Sequence, residues 1–106
     1  MRKTDVDEER IKAPPSDSTI LFSGRSQEQG YAITRIELRR YVERKHDRLG
    51  DYSLLTVLVE TDKGSVEMKY DEGFRGQEAL ESAASMLRQN VGLAALVNRA
   101  LIELRQ

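Results

Sequence analysis

Residues 52–70, YSLLTVLVETDKGSVEMKY, restrict the fold of this chain more than any other stretch. An apolar, β-branched run leads to Thr61, and a turn follows at Asp62, Lys63 and Gly64. Val66, Met68 and Tyr70 then alternate with Ser65, Glu67 and Lys69. A period of two on either side of a short Gly-containing turn specifies a β-hairpin. The first arm is apolar on both of its faces, at Leu54, Leu55, Val57, Leu58 and Val59, so it belongs inside a sheet with a strand on each side.

The nearest partner for that arm lies upstream, in TRIELRRYVERKHDRLG, residues 34–50. Two periodicities compete there. As a helix, Thr34 and Glu37 form a capping box, Leu38, Tyr41, Val42, Lys45 and Leu49 a partial stripe, and Gly50 the terminator. As a strand, Ile36, Leu38, Arg40 and Val42 face one way while Arg35, Glu37, Arg39, Tyr41 and Glu43 face the other. The need of the apolar arm for a second neighbour favours the strand, and residues 43–51 then form a charged hairpin loop. Further upstream, TILFSG at 19–24 is a candidate strand that Gly24 and the polar run RSQEQG would end. Residues 1–17 alternate charge, carry almost no large apolar side chain and end in APPSDS, which predicts a disordered tail ahead of a single domain over 18–106.

After Tyr70 the period lengthens. Leu80, Ala83, Ala84, Leu87 and Val91 fall on one helical stripe, with Glu78 and Glu81 early, Arg88 late and Gly92 as terminator. Leu93, Leu96, Val97, Ala100, Leu101 and Leu104 repeat the spacing to the C-terminus. The expected fold class is α+β: an antiparallel β-sheet of three to four strands packed against C-terminal amphipathic helices. Two such helices carry more apolar stripe than one small sheet covers, so a homo-oligomer, in its simplest form a homodimer, is one outlet for the surplus.

Composition narrows the chemistry. Seventeen Lys and Arg against 18 Asp and Glu leave a net charge of −1 over 106 residues, so no global field draws the chain to nucleic acid or an anionic surface. Without cysteine there is no thiolate metal site, disulfide or thiol nucleophile. His46, the only histidine, sits between Lys45 and Asp47 in the loop, where nothing orients it as a base. No serine occupies a nucleophile elbow, the acidic positions Asp5, Asp7, Glu8 and Glu9 do not follow a calcium-loop pattern, and GFRG at 73–76 lacks the lysine of a phosphate loop. No catalytic residue, metal ligand or cofactor is expected, nor is a membrane-spanning segment, and a cytoplasmic location suits the absence of an apolar leader. The basic segment 35–48 is the one argument for nucleic acid. Its six cations are interleaved with Glu37, Glu43 and Asp47, and Tyr41 is its only ring, so ion pairing within the sheet is the preferred reading and nucleic-acid binding the alternative. If the segment contacts a partner, Arg35, Arg39, Tyr41 and Arg44 are the residues placed to do so.

The order ITRIELRRYV, charged loop, YSLLTVLVETDKGSVEMKY and QEALESAASMLRQNVG resembles small bacterial pleckstrin-homology-like modules, in which curved antiparallel strands are closed by a helix rich in Ala and Leu. The resemblance covers residues 31–92. It departs from a seven-stranded barrel in having few strands before Tyr31 and in carrying an extra helix after Gly92. It implies a non-catalytic protein–protein interaction or assembly module, with no binding residues fixed by family.

Overall fold

The computed structural model describes residues 14–44, 48, 50–76, 78–89 and 92–106. Four strands, β1 (Asp17–Glu28), β2 (Tyr31–Arg44), β3 (Asp51–Thr61) and β4 (Gly64–Arg75), form one antiparallel sheet in the order β1-β2-β3-β4. Helices α1 (Glu78–Gln89) and α2 (Gly92–Arg105) follow and pack on one face, α1 toward β1 and β2, α2 toward β3 and β4. The α+β expectation holds, with four strands.

The segment with two competing periodicities is a strand, paired along its length with β3, and the apolar arm is interior as its two-sided hydrophobicity requires. Four boundaries differ from expectation. β1 does not stop at Gly24 but continues through Arg25–Glu28, because a strand at the sheet's edge can keep polar side chains wet along one face. Its early end also overlaps the expected tail: Ser16 donates its backbone N–H to the Arg40 carbonyl at 2.7 Å, and Asp17 opens the strand. β4 runs past Tyr70 to Arg75, with Phe74 in register with Tyr52 in the ladder. Gly92 begins α2 instead of closing α1. Most of the expected tail, residues 1–13, and His46 lie outside the described residues.

The helix-side core comprises Ile33, Ile36, Leu38, Leu55, Val57, Val59, Val66 and Met68 from the sheet, with Leu80, Ala84, Leu87, Ala100 and Leu101 from the helices. Strict alternation would put Ile33 and Ile36 on opposite faces. A bulge resolves the conflict: Ile33 pairs with Thr61 and Arg35 with Glu60, so Thr34 is the extra residue and both isoleucines reach the core. Thr34 Oγ1 donates to the Glu60 carbonyl at 3.2 Å. A second irregularity, between Ile20 and Phe22, turns the Phe22 side toward the helices.

The two hairpins meet at one end. Gln29 and Gly30 have φ of 51° and 86°, the two positive values a type I′ turn needs. Beside them the Asp62 Oδ1 accepts the Ala32 N–H at 3.0 Å, and Lys63 Nζ donates to the Gly30 carbonyl at 2.9 Å while lying 5.3 Å from the Tyr31 ring centre. Gln29 also donates to Asn98 of α2 and accepts from Arg105, which fastens the last helix to the first turn.

Candidate functional site

Alternation along β2 puts Arg35, Glu37, Arg39 and Tyr41 on the face opposite the helices, and no helix or strand among the described residues packs there. The ladder sets Leu58 opposite Glu37, Thr56 opposite Arg39 and Leu54 opposite Tyr41, with Glu67 of β4 beyond Leu58. Leu54, Thr56, Leu58, Glu37 and Tyr41 are all buried, and Tyr41 and Leu54 form a small apolar cluster apart from the main core.

Their polar ends form one connected network. Glu67 accepts from Tyr41 Oη at 2.6 Å and Thr56 Oγ1 at 2.6 Å through Oε2, and from Arg39 at 3.2 Å through Oε1. Glu37 Oε1 accepts from Arg35 and from Arg39 Nε, each at 3.2 Å. Arg39 therefore bridges two carboxylates, and Glu37 and Glu67 are ionised groups with nearly all of their surface removed from water, which is tolerable only because cations and hydroxyls meet them. Burial by itself would raise the Glu37 carboxyl, but a hydrogen bond from Ser18 and the charges of Arg39 and Arg35 outweigh it and hold the group below the usual carboxylate range. Burial and the Glu67 hydrogen bond push the Tyr41 phenol above its ordinary value. For Arg39, burial opposes the charge, while Tyr41, Glu67 and Glu37 raise its affinity for the proton.

Arg40, one residue on, faces the other way and is almost fully buried beyond the end of the apolar core. Its Nε lies 3.2 Å from Asp17 Oδ1, an electrostatic contact too poorly aligned for a hydrogen bond. Its second branch lies 3.5 Å from Asp51 Oδ2 and donates to Ser53 Oγ at 3.3 Å. One guanidinium thus ties β1, β2 and β3 together.

Of the residues expected at a contact surface, Arg35, Arg39 and Tyr41 are brought together on one face. Arg44 ends β2 opposite Tyr52. The expected ion pairing is present for Glu37, and Glu67, Asp17 and Asp51, which lie outside the segment, also pair with its arginines; Asp47 is outside the described residues. Glu67 and Arg40 are the residues that sequence reasoning passed over. An apolar groove of about 410 Å³ between α2 and the β1–β2 hairpin, walled by Phe22, Ile33, Ile36, Leu93 and Val97, includes none of the four expected residues. Among the described residues no group of three or more His, Asp or Glu is placed to hold a metal ion, and no helix is long and apolar enough to cross a membrane. No protein-family model matches the chain, and neither a curated protein nor a solved structure matches it at a significant level.

Proposed function

We propose that this chain is a non-catalytic protein–protein interaction or assembly module that uses the face of its sheet opposite the helices. The observation that carries the reading is the pairing of the arginines on and beside that face. Arg35, Arg39 and Arg40 are each within ion-pair distance of a carboxylate, so the cations that phosphate binding would require already serve the fold. What the face offers a partner is a rigid, charge-balanced surface with a half-exposed arginine at Arg35 and an apolar rim at Ile20, which is 40% exposed and sits opposite Glu37. A surface of that kind suits complementary packing with another protein better than a salt-dependent grip on a polyanion. The resemblance to pleckstrin-homology-like modules points to the same class of role.

The test compares the native-host partners of the wild type with those of Ile20→Asp and Arg35→Ala, two substitutions at the rim that leave the Glu67 hydrogen bonds in place. A partner retained by the wild type and lost by both variants, with unchanged circular dichroism, supports the reading. Retention by both variants overturns the assignment to this face. DNA or RNA binding at 0.15 M salt whose logarithm falls steeply with that of the salt, with a smaller slope in Arg35→Ala, overturns it in favour of a nucleic-acid module.

A further inference from the structure

The sheet has two outer edges that are not alike. β1 is irregular at two places, between Ile20 and Phe22 and between Ser23 and Ser26, and Arg88 of α1 donates to its Ile20 carbonyl at 2.7 Å. Bulges and an occupied carbonyl are devices that keep an edge from accepting another strand. β4 is regular from Gly64 to Lys69, contains no proline, and has its one irregularity only where Leu55 follows Thr56 on its partner, opposite Lys69–Asp71. No strand among the described residues lies beyond it. Thr61 and Gly64 close the turn as a hydrogen-bonded pair, and such pairs alternate along an antiparallel ladder. The residues that direct their N–H and C=O groups away from β3 are therefore Ser65, Glu67 and Lys69.

We infer that β4 pairs antiparallel with β4 of a second copy of this chain, about a two-fold axis at Met68, to give an eight-stranded sheet. This inference rests on the assembly reading and adds to it an interface along the edge of the sheet. The sequence of the edge selects the register. With Met68 opposite itself, Glu67 faces the second copy's lysine at position 69, and Lys69 its glutamate at 67. On the helix side Val66 meets the tyrosine at position 70, and the two Met68 side chains meet each other. Moving the axis by one residue in either direction sets Glu67 against Glu67 or Lys69 against Lys69, which is repulsive. The pairing is isologous, and the outer strands of the product are two copies of the irregular β1, so growth stops at the dimer.

Sedimentation equilibrium and amide hydrogen exchange test this together, on the full chain. The expected result is a dimer at micromolar concentration, with the amides of Glu67 and Lys69 protected more strongly as concentration rises. Lys69→Glu sets like charges opposite each other twice and weakens dimerisation about tenfold or more, whereas Lys69→Arg leaves it within a few-fold. A wild type that stays monomeric to high concentration overturns the inference. So does a dimer that Lys69→Glu leaves intact while those two amides exchange freely, an outcome that keeps the assembly reading but moves the interface elsewhere.

Discussion

Replacing Arg40 by methionine removes the charge that holds three strands together and keeps most of the apolar stem. The Arg40 side chain is 5% exposed, and its carboxylate partners, Asp17 and Asp51, are 26% and 27% exposed. Removing one partner of a fully buried ion pair costs about 3–5 kcal/mol, because the other charge is left unpaired in a medium that solvates it poorly. Here the two carboxylates keep roughly a quarter of their exposure and can turn to water, which reduces the expected loss to about 2–3 kcal/mol. In a domain whose total stability is on the order of 5–15 kcal/mol this is a large change. The assay is urea unfolding followed by far-ultraviolet circular dichroism, since the chain has no tryptophan. With a slope of about 1.5 kcal/mol per molar the midpoint falls by about 1.5–2 M. Arg35→Met is the control: its guanidinium is 44% exposed, and its pair with Glu37 is worth about 1 kcal/mol or less. The triple variant Arg40→Met with Asp17→Asn and Asp51→Asn removes the orphaned charges and recovers most of the loss. An Arg40→Met protein no less stable than Arg35→Met refutes the reasoning, as does a triple variant weaker than the single one.

Leu101→Ala, at a fully buried position where α2 meets the sheet, costs about 2–5 kcal/mol by the same urea assay, whereas Ile102→Ala next to it, half exposed, stays within about 0.5 kcal/mol. Glu37 has a depressed pKa in the fold, so its contribution is present above the unfolded carboxyl value and is lost as pH falls through the folded one; Glu37→Gln should flatten stability across that acid range, as read by urea midpoints at a series of pH values. Tyr41 carries the opposite sign: its raised pKa contributes stability below about pH 10 that disappears as the phenol ionises, and Tyr41→Phe removes that alkaline loss, together with one hydrogen bond to Glu67. Deleting Thr34 takes out the bulged residue and leaves Ile33 and Ile36 two positions apart on one face of a regular strand, so it should cost the domain no more than Thr34→Ala within about 1 kcal/mol in thermal melts.

The elements were legible where one periodicity ran without interruption. The hairpin of β3 and β4 and the stripe of α1 are of this kind, because burial of one face is the main term that selects them. β2 was ambiguous because Thr34 and Glu37 have helix-capping spacing and its apolar residues are interspersed with arginines; the unmet second face of β3 decided it, a tertiary demand overriding a local one. The ends of β1 and β4 lie beyond the hydrophobic alternation for a related reason. Residues such as Arg25–Glu28 and Asp71–Arg75 carry no hydrophobic alternation, and they are strand because the ladder beside them continues. Gly92 matched a terminator and instead opens the next helix, so a glycine between two apolar stripes is compatible with either role.

The charged face was half legible. Alternation puts Arg35, Glu37, Arg39 and Tyr41 side by side, but it cannot say which carboxylate from another strand lands among them, since that depends on register and on bulges that shift it. Arg39 and Arg40 make the point. They are neighbours of one residue type in one strand, yet parity sends the first to a network with Glu37 and Glu67 and the second to a buried contact with Asp17 and Asp51. Both sets of partners lie more than ten residues away in sequence or, for Glu37, two residues away on the same face. Arg35, Arg39 and Arg40 are thus engaged in ion pairs within the sheet, and Arg39 and Arg40 tie strands to one another. A surface whose charges are already matched recognises a partner through shape and through whatever hydrogen-bonding edge the sheet still presents, and in this sheet the regular edge is β4, where Glu67 belongs at once to the internal network and to the outer row of backbone groups. A change at Glu67 should therefore register in both folding and self-association.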